Sequence, residues 1–276
     1  MDCKDYYATQ EMFTLMQCSS CQFIFTQDHP KEDDMGRYYD TPDYVSHSDT
    51  KKGMVNSIYH WARSFMLHQK YTMLRRESMV KKGSIMDIGC GTGYFLETMQ
   101  KKGWQTQGVE VNTHAREAAS KRLSQTVASS LHAIENQRFD IISLWHVMEH
   151  LHDLPYTFGR LQELLNDEGL LVVALPNAAA HDAAHYQNDW GAYDPPRHVW
   201  HFTADTFSQI AQQHGFRIEK IAPMPLDAFY VSMLSEKYQQ HQMPFFKGMW
   251  QGVKAFGASW GNPKKSSSII YLLRKI

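Results

Sequence analysis

Apolar and polar positions over residues 84–175 alternate between two spacings. Short apolar runs are each followed by a segment whose apolar residues recur at helical spacing. The runs indicate buried strands, and the segments between them indicate amphipathic helices. Such βαβα alternation predicts a parallel sheet with helices on both faces and right-handed crossovers. In chain order the segments are SIMDIG, YFLETMQKK, QTQGVEV, THAREAASKRL, a weak strand near TVAS, FDIISLW, TFGRLQELL and GLLVVAL.

Further elements flank this alternation. Before it lie a hairpin-like stretch, MFTLMQCSSCQFIFT, and a helical pattern from Gly53 to Met79. After it come a polar and aromatic loop from Pro176 to His201, a helix from Ala204 to His214, and the strands FRIEKIA and SSSIIYLLRKI. We therefore expect a small N-terminal appendage at 1–50, a main domain at 51–276, and a lid or insertion at 224–266.

Composition narrows the class of protein. The chain has 276 residues and a formal net charge of -1, without the basic footprint of proteins that bind nucleic acids, so we expect a small-molecule substrate. No apolar run is long enough to span a bilayer, and the N-terminal MDCKDYY lacks a signal-peptide pattern. Its four cysteines are too few for a disulfide framework. A cytoplasmic protein is expected, as a monomer or a homodimer.

The segment Asp87-Ile-Gly-Cys-Gly-Thr-Gly93 joins the first strand to the helix after it. Glycines at such a turn let the backbone approach a ligand closely. Glu110 ends the next strand, about 20 residues on, where a carboxylate can accept hydrogen bonds from ribose hydroxyls. A tight turn that needs glycine for its geometry alone is the structural alternative. The paired acidic position favours a ligand site.

Asp87 discriminates between two ligands. A dinucleotide site has the spacing Gly-x-Gly-x-x-Gly and holds its pyrophosphate on backbone N–H groups. Here the spacing is Gly-x-Gly-x-Gly, and Asp87 would repel a pyrophosphate. A carboxylate suits a ligand with ammonium and sulfonium groups. The residues therefore favour S-adenosylmethionine over NAD, and an NAD-linked oxidoreductase is the weaker alternative.

These motifs closely resemble class I S-adenosylmethionine-dependent methyltransferases over roughly Gly83 to Ala222, and FDIISLWHVMEHLHD resembles their fourth strand with the segment after it. Residues 145–150 also resemble the Leu-Glu-His element of the ubiquinone-type O-methyltransferases. The resemblance implies a Rossmann-like, seven-stranded, mostly parallel sheet with an antiparallel last strand. The third strand is followed by Ser129 and not by the family's frequent acidic residue, which weakens the expected contact with adenine. The implied cofactor-binding residues are Asp87, Gly89, Cys90, Gly91, Gly93, Tyr94, Glu110, Val111, Ser129, Trp145 and His146.

Histidines are concentrated after the fourth strand, where ligands of open α/β sheets lie. A histidine can take a proton from an acceptor hydroxyl at neutral pH, which makes His146, His150 and His198 candidate bases, with His201 beside them. Packing and hydrogen bonding within the fold is the alternative role. Some relatives bind a divalent ion through a Glu-x-x-Glu-His pattern, but this chain has His146 at the first glutamate position.

Cys18 and Cys21 have the two-residue spacing of a zinc knuckle, which is half of a tetrahedral site. Related methyltransferases carry an upstream Cys-x-x-Cys that completes a small zinc ribbon, whereas Cys3 is the single upstream cysteine here. Zinc held by Cys18 and Cys21 and free thiols are therefore both open.

We expect a methyltransferase that acts on a small molecule by O-methylation. C- or N-methylation of a sugar or other metabolite, and a non-catalytic protein that binds S-adenosylmethionine, are the alternatives. The apolar insertion at 224–266 could cover the active site, dimerise, or contact a membrane surface peripherally.

Overall fold

The computed structural model describes the backbone of residues 1–39, 54–224 and 226–276, and side chains in the same ranges except 54–62. Residues 40–50 of the expected N-terminal appendage lie outside the described part. The chain divides into two compact units. Unit 1 takes in the described parts of Met1–Thr41 together with His146–Pro155 and Val173–Leu272, and unit 2 the described parts of Pro42–Trp145 together with Tyr156–Val172 and Leu273–Ile276.

In the described part of the chain, ten strands form two sheets. One sheet has the order β1-β2-β3-β8 and the other the order β5-β4-β6-β7-β10-β9. The strands are β1 (Asp2–Lys4), β2 (Met12–Gln17), β3 (Ile24–Thr26), β4 (Ser84–Ile88), β5 (Gln105–Val109), β6 (Phe139–Trp145), β7 (Leu165–Pro176), β8 (Trp200–His201), β9 (Phe216–Pro223) and β10 (Ser268–Lys275).

Helices alternate with the strands of the larger sheet over residues 84–176, as the apolar spacing predicts. The helices of the described residues are α1 (Gly36–Tyr39), α2 (Met54–Glu77), α3 (Tyr94–Lys101), α4 (Thr113–Leu123), α5 (Leu154–Leu164), α6 (His181–Tyr186), α7 (Ala204–Gln213), α8 (Asp227–Tyr238) and α9 (Pro244–Trp260). Of these, α3, α4 and α5 lie between β4, β5, β6 and β7 in chain order. Local signals fix several starts: Asn112 accepts a 3.0 Å hydrogen bond from the backbone N–H of Ala115, and Thr203 forms a capping box with Thr206.

The predicted α/β class is confirmed, with β4 parallel to both β5 and β6. The strand count differs from the expected seven. Within the described residues the stretch near TVAS makes a single parallel bridge, between Ala128 and Val109, with backbone hydrogen bonds from Ala128 N to Gly108 O and from Glu110 N to Ala128 O. The larger sheet therefore has six strands, and the last strand of the chain lies between β7 and β9 in the sheet order.

Unit 2 is built around the parallel strands. The apolar side chains of β4, and those of β6 before Trp145, are at most 4% exposed, and each such burial contributes on the order of 1.5–3 kcal/mol relative to exposure. They include Ile85, Met86, Ile88, Ile141, Ile142 and Leu144. The ends of these strands carry the glycine turn and Glu110.

Unit 1 has a core of its own, assembled from parts far apart in the chain. The predicted hairpin is present, with β2 antiparallel to β3 and Cys18 and Cys21 between them. The loop after β7 contains α6 and contributes large buried side chains to the same cluster as the first strands. The cluster comprises Cys3, Leu15, Ala180, Ala183, Tyr186, Trp190, Ala192, Tyr193 and Val231.

Candidate cofactor site and histidine cluster

Asp87 lies near the carboxyl end of β4 with its side chain 3% exposed. Ser143 of β6 donates a 2.6 Å hydrogen bond to Oδ1 of Asp87. Burial raises the pKa of Asp87 to about 7, although the Ser143 hydrogen bond and the charge of Lys70 act in the opposite direction. A buried carboxylate of this kind is stabilised in its charged form by a cationic group placed next to it.

The glycine turn after β4 has the left-handed backbone that its sequence requires. The φ angles are 69° at Gly89, 54° at Gly91 and 83° at Gly93. A Cβ on Gly93 would lie 3.2 Å from the backbone of Ala119, so this glycine lets α3 pack against α4. A Cβ on Gly91 would meet no atom within 4 Å. The backbone at Gly91 therefore offers the close approach that a ligand needs.

Glu110 follows β5 and holds the turn. Its Oε2 accepts a 2.8 Å hydrogen bond from the backbone N–H of Gly91, and its Oε1 accepts one of 2.9 Å from Asn112. The side chain is 8% exposed. Each carboxylate oxygen has further lone pairs, so Glu110 can still accept hydrogen bonds from ligand hydroxyls. The structure thus brings Glu110 to the glycine turn, as the sequence predicts.

The other predicted cofactor residues of unit 2 have varied surroundings. Cys90 is 8% exposed, burial raises the pKa of its thiol, and its Sγ lies 2.8 Å from where a Cβ of Gly108 would be, so it is a packing residue. Val111 is 75% exposed and Ser129 is exposed. The Tyr94 ring lies 3.5 Å from the guanidinium carbon of Arg122.

Trp145 ends β6 with its ring in contact with two other residues. The ring packs edge-on against Phe95 at 5.7 Å between centroids, and Nζ of Lys70 lies 3.9 Å from its centroid. Lys70 also lowers the pKa of Asp87. Lys70 could not be predicted from the sequence, because its position in a long helix does not reveal which strand end it faces.

His146 occupies a strained backbone position in unit 1. Its φ is 57°, a left-handed conformation that costs a non-glycine residue on the order of 1 kcal/mol or more. Its Nε2 lies 2.9 Å from Oδ2 of Asp227 and its Nδ1 lies 3.3 Å from Oε1 of Glu149. Burial alone would lower the pKa of His146, but contacts with these two carboxylates raise it to about 10.

The raised pKa changes the role expected of His146. A histidine with a pKa near 10 is protonated at neutral pH and cannot accept a proton. Both of its nitrogens donate toward carboxylates. Sequence reasoning missed Asp227, which begins α8 within an apolar insertion; an isolated acid at a helix start is the signal that could have indicated it.

Glu149, His150 and His198 form a second group, each offering a donor atom within 4.8 Å of the others. Nδ1 of His150 lies 3.0 Å from Arg197 O, and Nδ1 of His198 lies 2.9 Å from Ala192 O. Because backbone carbonyls hold both Nδ1–H groups, the Nε2 lone pairs are the ones left available.

Glu149 is fully buried, and among the described residues neither of its oxygens accepts a well-aligned hydrogen bond. Burial alone would raise the pKa of Glu149, but the contact and charge of His146 lower it. Burial and the nearby His150 hold the pKa of His198 well below its usual value. One carboxylate and two imidazoles are a donor set that could hold a divalent ion.

His201 and Arg197 serve the fold of unit 1. The Thr26 hydroxyl donates to His198 O at 2.8 Å, so Nε2 of His201, 3.0 Å from the same hydroxyl, must be the protonated nitrogen. Burial lowers the pKa of His201 to about 3. Arg197 is 3% exposed and donates to Asp5 at 2.9 Å and to Asp194. Both residues anchor the N-terminal strands.

The cysteine pair lies in the β2–β3 turn. Hydrogen bonds from the backbone N–H and thiol of Cys21 lower the pKa of Cys18. Cys3 is buried in the core cluster of unit 1. Across residues 1–39, 54–224 and 226–276, no group of three or more potential metal ligands includes Cys18 or Cys21.

Comparison with known proteins finds methyltransferases among the similar chains. The ubiquinone biosynthesis O-methyltransferase of Rhodopseudomonas palustris is 29% identical over 100 residues, which is 34% of this chain and 40% of that protein. The enzyme of the same name from Bartonella tribocorum is 33% identical over 101 residues, which is 34% of this chain and 41% of that protein. The one from Azorhizobium caulinodans is 28% identical over 158 residues, which is 52% of this chain and 62% of that protein. The chain thus matches 40% to 62% of the length of these relatives.

Two solved structures share the fold. Magnesium protoporphyrin IX methyltransferase from Synechocystis has a TM-score of 0.56 at 11% identity, covering 87% of this chain and 97% of that one. The cyclopropane synthase MmaA2 from Mycobacterium tuberculosis has a TM-score of 0.52 at 15% identity, covering 75% and 83%.

No helix in the part of the chain that the structure describes is long and apolar enough to cross a membrane.

The family described as "Methyltransferase domain" (Methyltransf_23) matches residues 60–221. This match spans more than half of the chain, and the protein therefore belongs to that family, within the class I S-adenosylmethionine-dependent methyltransferases.

Proposed function

We propose that this protein transfers the methyl group of S-adenosylmethionine to a small-molecule acceptor by O-methylation. The observation that carries the proposal is the buried Asp87 carboxylate beside a glycine turn that Glu110 closes. A negative charge at that place suits the ammonium and sulfonium of S-adenosylmethionine and opposes a pyrophosphate. The names of the curated relatives support transfer to oxygen.

The cofactor contacts are divided between backbone and side chains. Asp87 holds the methionine part of the cofactor, Gly91 permits close approach of the backbone, and Glu110 accepts hydrogen bonds from the ribose. The exposed Val111 and Ser129 flank the adenine. Trp145 is the last of these cofactor-contacting residues, and its ring is held in place by the Phe95 ring and the Lys70 ammonium group.

The reaction is a displacement in line with the sulfonium. The acceptor oxygen forms a bond to the methyl carbon, the sulfur–methyl bond breaks, and the hydroxyl proton passes to a base. Most of the acceleration comes from alignment of the two reactants, with a further contribution from the base.

His150 is the base that the contacts favour among the three candidates. His146 is held protonated between Asp227 and Glu149, and burial makes His198 a weak base. Nδ1 of His150 lies against Arg197 O, which leaves Nε2 to accept a proton. We assign His146 the role of a positioning residue, a cation that lies 2.9 Å from Asp227 and 3.3 Å from Glu149 and pairs with both carboxylates.

Calorimetric titration tests the cofactor assignment. The protein is titrated with S-adenosylmethionine, S-adenosylhomocysteine and NADH, in parallel with Asp87→Asn and Asp167→Asn; the Asp167 side chain is 83% exposed and serves as the control. We expect micromolar binding of the first two ligands, weakened about 100-fold in Asp87→Asn and unchanged in Asp167→Asn. Binding of NADH alone would instead support an oxidoreductase.

Transfer is tested separately, with methyl-labelled S-adenosylmethionine and a panel of phenols, alcohols, amines and sugars. Label on an oxygen of a phenol or alcohol supports the proposal, whereas label on nitrogen or carbon replaces it by the alternative transfer. Tight cofactor binding with no labelled product from any acceptor would favour a non-catalytic binding protein.

A further inference from the structure

Helix α9 buries its small residues and exposes its large apolar ones, whereas a surface helix normally buries its large apolar residues. Its buried residues are Gly248, Gly252, Ala255 and Ser259. A Cβ on Gly248 would lie 2.5 Å from the Cα of Met233 of α8, and one on Gly252 would lie 2.8 Å from that of Phe229. The small residues thus let the backbones of α8 and α9 approach closely. The bulky residues of α9 are left for the other face.

That outer face is strongly apolar. Phe246 is 69% exposed, Trp250 63% and Trp260 81%. At about 100° per residue these side chains and their neighbours lie within about 140° of the helix circumference, in one continuous stripe. We name this stripe the aromatic face; it consists of Phe245, Phe246, Met249, Trp250, Val253 and Trp260.

The charged side chains of α9 have one sign. Lys247 and Lys254 lie at one border of the aromatic face, and the helix contains no aspartate or glutamate. Of the two lysines that follow it, Lys264 pairs with Asp205 at 2.7 Å and Lys265 is exposed. A helix with aromatic residues on one side and lysines along the border has the pattern of helices that lie in the interface of an anionic membrane.

The charges disfavour a second copy of the chain as the occupant. Two aromatic faces brought together would place Lys247 and Lys254 of both copies near one another, and α9 offers no acid to pair with them. Lysine is also depleted at protein interfaces relative to the rest of the surface. An anionic lipid surface instead complements both the apolar area and the positive charge.

We propose that the aromatic face of α9 inserts into the headgroup region of an anionic lipid bilayer. The side chains of the face enter the boundary between headgroups and acyl chains, and Lys247 and Lys254 contact lipid phosphates. The close α8–α9 packing keeps the helix formed in the absence of lipid. This peripheral attachment does not depend on which acceptor the enzyme methylates.

Vesicle flotation tests the proposal with the full chain. Wild-type protein is floated with vesicles of phosphatidylcholine alone and of phosphatidylcholine with phosphatidylglycerol, at low and high salt. We expect binding to the anionic vesicles that weakens with salt, and at least tenfold less binding to the neutral ones. Failure to float with anionic vesicles, or equal flotation with both kinds, would overturn the proposal.

Two variants separate the apolar and the charged parts. Phe246→Ser/Trp250→Ser should lose at least tenfold in vesicle binding, and Lys247→Gln/Lys254→Gln should lose several-fold together with the salt dependence. Met79→Ser, which changes another exposed apolar residue (69% exposed), should bind as the wild type does. Analytical ultracentrifugation without lipid completes the test: a dimer that the aromatic variant dissociates would identify a second copy as the occupant and contradict the proposal.

Discussion

The glycine turn of unit 2 and the histidine cluster of unit 1 are built in different ways. Asp87, the glycines and Glu110 come from one stretch of βαβ sequence, and the turn closes on itself through the hydrogen bond between Gly91 and Glu110. The histidine cluster gathers His146, His198 and Asp227 from separate segments. A local motif carries its chemistry in its spacing, whereas in an assembled cluster the partners decide what each residue does.

The largest effect we expect concerns Arg197, which lies in the polar and aromatic loop from Pro176 to His201. Replacing it by methionine leaves Asp5 buried and unpaired and should lower the free energy of unfolding by about 3–5 kcal/mol. Urea unfolding measures this. The exposed pair of Arg217 with Glu219 provides the control, since Arg217→Met should cost less than about 1 kcal/mol. Equal, small losses in both variants would contradict the anchoring role.

The second effect concerns His146 and Asp227. Since the pKa of His146 is raised to about 10, the residue is charged below that pH and loses its charge only above it. We expect the turnover of His146→Gln and of Asp227→Asn to fall by about 100-fold through misplacement of the site. We also expect kcat of the wild type and kcat of His146→Gln to depend on pH in the same way between pH 8 and 10, without a rise that is present in the wild type and absent from the variant. Such a rise would show that His146 acts as a base after all.

Sequence reasoning succeeded where neighbouring residues determine structure. The alternation of strands and helices, the hairpin around Cys18, and the meeting of Gly91 with Glu110 all follow from spacing within one or two elements. It could not assign His146 a pKa, because Asp227 lies 81 residues away and the fold alone brings them together. The TVAS strand was wrong, since one bridge to Val109 does not make a strand.

The third effect returns to Asp87 and uses stability in place of activity. Its folded pKa of about 7 lies above the value near 3.9 of an exposed aspartate, so the folded state keeps a proton that the unfolded state has lost. The free energy of unfolding therefore falls as pH rises between about 4 and 7. We expect Asp87→Asn to be more stable than the wild type by roughly 1–3 kcal/mol at pH 8 and no more stable at pH 4.

Thermal unfolding of the cofactor-free protein across that pH range measures the difference. An identical pH dependence in the wild type and Asp87→Asn would mean that Asp87 carries no unfavourable charge. A variant that is more stable yet binds S-adenosylmethionine more weakly would show that the buried charge is kept for binding at a cost in stability.

The smallest effect concerns the cysteine pair, a local motif like the glycine turn, for which the described residues offer no further metal ligand comparable to the part that Glu110 plays at the turn. Two thiolates supply half of a tetrahedral zinc site, and Cys3 is buried elsewhere in unit 1. We expect Cys18→Ser/Cys21→Ser to change the free energy of unfolding by less than about 0.5 kcal/mol, as at other surface positions. Elemental analysis of the purified wild type should find less than one zinc per ten chains. One zinc for every two chains, lost in the double variant, would show that a second copy of the chain completes the zinc site. The cysteine pair would then differ from the glycine turn only in that its partner comes from another chain, whereas Glu110 belongs to the same chain.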